Sequence, residues 1–140
     1  MRKEYTPKVS RKKDDVEFEI AFYENILKQT PDFIEALIAV GDLYTRAGFW
    51  QKGLEVDLKL VNLRPDDSVI YYNLACSYAL LNQTRPALSA LSKAIEFGYN
   101  DFKHLREDPD LENLLKDAQV QEFLAQVEKK KKTTKKPQAG

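Results

Sequence analysis

Side chains that commonly carry out chemistry are few in this chain. Cys76 is the only cysteine and His104 the only histidine, so a nucleophile–base pair is the one catalytic arrangement they could form. A single histidine rules out a histidine metal cluster within one chain. The five glycines do not cluster, so no phosphate-binding loop is indicated. These residues predict a protein that is not an enzyme and binds no metal or cofactor.

One acidic run could suggest a cation site. It comprises Glu107, Asp108, Asp110 and Glu112, but it lacks the glycine and the regularly spaced oxygens of a calcium loop. We interpret the run as helix capping and a solvated face. By the same reasoning, the thiol is a small buried or groove-lining group and the imidazole lies at the surface.

Charge is distributed unevenly along the 140 residues. The formal net charge is zero, yet residues 1–13 carry +5, residues 129–140 carry +6, and the body between them carries −11. The basic ends could attract nucleic acid or another anionic partner. The lack of interleaved aromatic residues other than Tyr5 argues against nucleic acid. No apolar run is long enough to span a bilayer, and the basic N-terminus has no apolar stretch behind it, so we expect a cytoplasmic protein.

Two stretches of the chain repeat each other at an offset of 34 residues. Large apolar residues align with large ones, and small residues align with small ones. Such a period is typical of a stacked array of helices. The aligned positions are Leu37, Val40, Gly41, Tyr44, Gly53, Leu54 and Val61 against Tyr71, Leu74, Ala75, Tyr78, Ala87, Leu88 and Ile95.

The spacing of apolar residues and the positions of helix-breaking residues predict the helices of this array. They cover 14–29, 33–46, 50–63 and 68–81, followed by a helix with Pro86 in its first turn that ends at Gly98. Asp32 is the predicted N-cap of the second helix, and Asp66 or Asp67 that of the fourth. In the first helix, the predicted buried face consists of Val16, Phe18, Ala21, Phe22 and Ile26.

The last third of the sequence does not follow the 34-residue repeat. Asn100–Arg106 and Pro109–Leu115 are predicted as two short helices, with Asp108 capping the second, and 118–129 as a longer one. The arm 1–13 and the lysine-rich tail 129–140 have little to bury and are predicted to be disordered.

The repeat resembles the tetratricopeptide repeat, a helix–turn–helix unit of 34 residues. Leu37-Ile-Ala-Val-Gly41-Asp-Leu-Tyr44 and Tyr71-Tyr-Asn-Leu74-Ala75-Cys-Ser-Tyr78 match its core pattern, and Gly48, Trp50 and Pro65 match its turn, second helix and end. The resemblance implies an all-α fold, a short right-handed superhelical array of antiparallel helix pairs with a C-terminal helical cap. The helical domain then covers 14–128: a half repeat 14–29, repeats 32–65 and 66–99, and capping helices 100–128.

The capping segment carries a second resemblance. Leu105-Arg-Glu-Asp108-Pro-Asp-Leu111-Glu-Asn-Leu114, followed by Phe123, is similar to the closing segment of many bacterial tetratricopeptide proteins. This likeness implies a bacterial protein. A solenoid end needs an element with one apolar and one polar face, and this segment would supply it.

The resemblance also places a binding groove on the first helix of each repeat. It implies a non-enzymatic adaptor that holds a peptide or protein segment there, unless part of this face packs against the chain's own terminal helix. The alternatives are a self-associating assembly subunit and a scaffold whose basic tails bind anionic partners. By repeat position, the groove residues are Glu35, Ile38, Asp42, Thr45, Arg46, Val69, Tyr72, Asn73, Cys76, Ala79 and Leu80.

Overall fold

The computed structural model describes residues 13–135, with side chains described over 15–131. Seven α-helices make up this part of the chain, with no strand among the described residues. The predicted all-α class is therefore confirmed. The predicted N-terminal arm, apart from residue 13, and the last five residues of the predicted tail lie outside the described residues. The helices are α1 (Lys13–Gln29), α2 (Ile34–Ala47), α3 (Trp50–Leu63), α4 (Ser68–Leu80), α5 (Thr84–Glu96), α6 (Phe102–Glu107) and α7 (Ala118–Lys135).

Contacts divide the chain into two compact units, Met1–Pro65 and Asp66–Gly140. The division falls between the two predicted repeats. Unit 1 contains α1, α2 and α3, and unit 2 contains α4 to α7. Within the units, α2 packs against α3, and α4 against α5, as helical hairpins.

Small residues allow the unit 1 hairpin to pack closely. A Cβ atom added to Gly41 would lie 3.2 Å from Val56 Cγ1 in α3, which is tighter than ordinary contact. Gly41 therefore permits the close crossing of α2 and α3. The chain then turns at Gly48, whose φ of 90° is the left-handed conformation that glycine adopts at low cost.

The predicted N-caps of α2 and α4 have different outcomes. Asp67 caps α4, because its carboxylate accepts hydrogen bonds from the backbone N–H of Val69 and Ile70 at 2.9 and 3.2 Å. The predicted cap at Asp32 is wrong: Phe33 holds the N-cap position of α2 without a side-chain bond. Asp32 instead pairs with Lys59 Nζ of α3 at 3.2 Å.

The predicted buried face of α1 is also wrong in part. Phe18 and Phe22 are 74% and 53% exposed, whereas Ile20 is buried against α2. The packed side of α1 follows the four-, three- and four-residue steps that begin at Val16 and run through Ile20 and Tyr23 to Leu27. Phe18 and Phe22 lie about 170° and 130° away from that side on a helix of 3.6 residues per turn.

The capping segment differs from the two predicted short helices. α6 forms, but Pro109–Leu111 and Leu114–Lys116 are separate 3₁₀ turns. Leu111 ends the first turn and Leu114 begins the second, and both side chains are buried. We call residues 99–117 the cap. The last helix, α7, continues to Lys135, so residues 129–135 of the predicted tail are helical.

Candidate functional site

The five predicted groove residues of unit 1 lie on one side of α2. Glu35, Ile38, Asp42 and Arg46 are exposed, and Thr45 is half-buried. Their spacing of three and four residues places them on one stripe. The opposite side of α2 is buried in unit 1, with Ala36, Leu37, Val40, Leu43 and Tyr44.

Polar contacts on this stripe are mostly local. Arg46 Nη2 pairs with Asp42 Oδ2 at 3.0 Å, and the hydroxyl of Thr45 donates to the Gly41 carbonyl at 3.0 Å. The paired side chains are both more than half exposed, so the pair contributes little to folding stability and can exchange partners readily. Ile38 is 44% exposed between these polar groups and offers an apolar contact point.

The equivalent stripe of unit 2 is largely covered. Val69 is 56% exposed and Asn73 is exposed, and Leu80 is half-buried. Tyr72, Cys76 and Ala79 are instead buried at 5%, 6% and 2% exposure. These three predicted groove residues are therefore not open to a partner in this structure.

The cap covers this stripe. Tyr72 donates its hydroxyl to Asp108 Oδ2 at 2.6 Å, and Cys76 Sγ lies 3.8 Å from the same oxygen. The ring of Tyr99 stacks on that of Tyr72, with centroids 4.4 Å apart and planes 12° from parallel. An incoming segment could reach Tyr72 or Cys76 only if the cap moved away.

Asp108 has two structural tasks. Its Oδ1 accepts a hydrogen bond from the Asp110 backbone N–H at 3.0 Å and so caps the first 3₁₀ turn, as the sequence predicts. Its Oδ2 receives the Tyr72 hydroxyl, a link that sequence reasoning missed because the partner lies 36 residues away. Burial, followed by this hydrogen bond, raises the pKa of Tyr72 far above its ordinary value. The phenol therefore stays neutral and remains a donor.

The fold brings the only cysteine, Cys76, and the only histidine, His104, close to the carboxylate of Asp108. His104 Nε2 lies 3.4 Å from Asp108 Oδ2, the oxygen that Cys76 also approaches. In a nucleophile–base–orienter arrangement, the imidazole stands between the thiol and the carboxylate. Here the carboxylate stands between thiol and imidazole, so the order of groups differs from that of a catalytic triad.

The same cluster holds the metal-ligand candidates. Potential ligand atoms of Cys76, Asp108 and Asp110 lie within 4.8 Å of one another. Both oxygens of Asp108 already accept hydrogen bonds, one from Tyr72 and one from the backbone. A cation would have to share these oxygens with the hydrogen bonds that hold the cap, so the donor set fits a cap anchor better than a metal centre.

Two further surfaces were not identified from the sequence. The first is the aromatic face of α1, defined by Phe18 and Phe22. The second, which we call the α5/α7 groove, is a cavity of about 580 Å³ between α5 and α7 in unit 2, together with an adjoining cavity of about 520 Å³ that α7 alone lines. The two cavities share Phe123 and Gln126. The sequence does contain a signal for the aromatic face of α1. The four- and three-residue steps from Val16 to Leu27 define a packed side of α1 that excludes both phenylalanines.

Among the described residues, no helix has the length and apolar character needed to cross a membrane.

Comparison with known proteins adds one relative in sequence. The chain matches no protein-family model. A segment of 88 residues, 61% of this chain, is 39% identical to a chloroplastic protein of Arabidopsis thaliana. The match covers 26% of that protein, so the chain spans about a quarter of the length of this relative.

A solved structure supports the fold class. "MamA 41-end from Desulfovibrio magneticus RS-1" superposes with a TM-score of 0.61, covering 84% of this chain and 68% of the other, at 19% identity. At that identity the likeness concerns the fold alone. It shows a tetratricopeptide-like helical-repeat fold for this chain.

Proposed function

We propose that this chain is a non-enzymatic tetratricopeptide module that binds a peptide or protein segment on the first helices of its repeats. The observation that carries the proposal is the exposed stripe of α2, where Ile38 stands between Glu35 and the Asp42–Arg46 pair. Repeat folds bury their matched positions in packing and leave the variable positions on the first helices for partners.

The chemistry of the α2 stripe favours one kind of partner. Ile38 would contact an apolar side chain of the bound segment, and the Glu35 carboxylate would attract a nearby lysine or arginine. Asp42 can exchange its bond to Arg46 for a bond to the partner. In unit 2, Val69 and Asn73 remain exposed for the same purpose, whereas Tyr72 and Cys76 contact the cap and Ala79 is buried.

Two observations support a binding role over an enzymatic one. The thiol, imidazole and carboxylate of unit 2 stand in an order that does not suit nucleophilic catalysis. The acidic oxygens of Asp108 are held by structural hydrogen bonds. The compartment and the bacterial origin stay predictions, and the chloroplastic Arabidopsis relative makes a chloroplast an alternative to the cytoplasm.

Affinity capture with charge-reversed variants tests the proposal. Ile38→Asp combined with Asp42→Lys removes the apolar contact and reverses one charge on the exposed stripe. We expect proteins captured by the wild type from the native lysate to be lost from this variant. Quantitative mass spectrometry measures the ratio, which should fall about tenfold for one lost apolar anchor.

A matched control separates binding from general charge effects. Glu55→Lys makes a similar charge change on an exposed position of α3, away from the stripe. Circular dichroism should show equal helicity for all three proteins. Identical capture profiles for the wild type, the control and the stripe variant would contradict the proposal.

A further inference from the structure

The first and the last described helices carry surfaces of opposite character. α1 exposes Phe18 and Phe22, at 74% and 53%. The α5/α7 groove, in contrast, presents cavities large enough to receive aromatic side chains. Adjacent large apolar side chains that stay exposed on a folded protein commonly mark an interaction surface. The aromatic face of α1 is such a surface.

Charge differs between these surfaces in a complementary way. Exposed Asp15 borders the aromatic face of α1, exposed Glu17 precedes Phe18, and Lys28 is the basic residue of the last turn. The groove is lined by Arg85, Lys129 and Lys130, with Glu122 as the acidic member of the lining. A basic groove in unit 2 thus matches an acidic, aromatic helix in unit 1.

Apolar character is complementary as well. Leu88 of α5 and Phe123 and Val127 of α7 are half-buried lining residues of the groove. They would contact phenylalanine rings from an incoming helix, a pairing in which aromatic side chains contribute most of the buried area. α1 is 17 residues long, about 25 Å, and its two phenylalanines lie one turn apart.

We infer that α1 of one copy of this chain docks in the α5/α7 groove of a second copy. Every copy carries both the aromatic face of α1 and the α5/α7 groove. A head-to-tail contact between two copies therefore buries one surface of each kind. Such a contact is heterologous: it leaves a free groove and a free α1 on the two members of the pair, so further copies can add. The inference uses surfaces separate from the α2 stripe and goes beyond the proposed function.

A concentration series of the purified full chain tests the inference by light scattering and sedimentation. We expect the mass to rise with concentration and the association to weaken as salt increases, because attraction between exposed charges is screened within about 10 Å at 0.1 M salt. Phe18→Ser with Phe22→Ser should weaken association at least about tenfold. A wild type that stays monomeric throughout the series would overturn the inference.

A mixing experiment identifies the geometry. Arg85→Glu with Phe123→Ser damages the groove and leaves α1 intact, whereas the α1 variant keeps its groove. Each variant alone should stay monomeric, and an equimolar mixture should stop at a mass of two chains, since only one productive contact remains. Self-association of the groove variant alone would overturn the head-to-tail contact.

Controls keep folding and partner binding apart from this result. Circular dichroism checks that both variants keep wild-type helicity. The Ile38→Asp/Asp42→Lys variant should associate like the wild type, because its substitutions lie on α2. A wild type that stays monomeric but still captures partners would contradict only the head-to-tail contact. Unchanged partner capture by the stripe variant would contradict only the proposed function.

Discussion

α2 and α4 occupy the same position in their repeats, yet their equivalent residues have opposite environments. Ile38 is 44% exposed and its counterpart Tyr72 is 5% exposed. Asp42 is exposed, and its counterpart Cys76 is 6% exposed. The 34-residue period therefore predicts which residues share a position, but what covers that position depends on the rest of the unit.

The cap is the physical cause of the difference in unit 2. Tyr72 provides both a ring for Tyr99 to stack on and a hydroxyl for Asp108 to accept. At the same position of unit 1, isoleucine can do neither. Side chains that differ between the repeats thus decide whether a first helix stays exposed or anchors the chain's own C-terminal segment.

The largest expected effect comes from breaking the cap's contribution to the core. Leu111, in the first 3₁₀ turn, is fully buried, and Leu111→Ala should lower the free energy of unfolding by about 2–5 kcal/mol. Urea unfolding followed by circular dichroism measures this loss. Leu58→Ala, at a position 41% exposed in α3, is the control and should change stability by about 0.5 kcal/mol or less. Equal losses for both would show that the cap is not part of the core.

A smaller effect is expected from removing single tyrosine hydroxyls. Tyr72→Phe should cost about 1–3 kcal/mol, because Asp108, whose side chain is only 12% exposed, loses the shortest hydrogen bond to its Oδ2. Tyr44 of α2 makes a similar bond to Glu24 of α1 at 2.5 Å. Tyr44→Phe should cost about 0.5–1.5 kcal/mol, since half-buried Glu24 can bind water instead. A larger loss for Tyr44→Phe would contradict the anchoring role of Asp108.

The same hydroxyls give stability a dependence on alkaline pH. Burial and hydrogen bonding to carboxylates raise the pKa of Tyr44 and Tyr72 in the folded protein. A raised pKa favours the neutral phenol, so this contribution is fully present below the unfolded pKa of about 10 and is lost as pH rises above it. The wild type should therefore lose stability above about pH 10. In the Tyr72→Phe variant this decline should be shallower, as urea unfolding at a series of pH values would show.

The smallest effect on stability is expected from moving the thiol from α4 to the equivalent position of α2. This change is also the most direct check of the difference in exposure between the two helices. In a Cys76→Ala background, Asp42→Cys places a thiol at the equivalent position of α2. This exposed substitution should change stability by about 0.5 kcal/mol or less. An aromatic disulfide reagent should react rapidly with the thiol at position 42 and slowly with native Cys76. Equal rates would mean that the cap opens freely in solution.

Sequence patterns predicted local features well where one residue decides the outcome. Gly48 ends α2 because its left-handed φ suits glycine, and Asp67 caps α4 because its carboxylate reaches two backbone N–H groups. Asp32 was assigned wrongly, since the prediction could not include Lys59 from the next helix as a competing partner. The buried side of α1 was misassigned because both phenylalanines are apolar enough to suggest a core position.

The sequence by itself determined the helices of the two repeats, the repeat period and the residues that share a repeat position, because these depend on spacing along one chain. Only the tertiary structure decided which of those residues stay accessible. Burial of Tyr72 and Cys76 requires Asp108, more than 30 residues further along, to arrive at the same place. Exposure of Phe18 and Phe22 likewise depends on which side of α1 meets α2. Such contacts follow from packing in three dimensions, which periodicity along the chain does not specify.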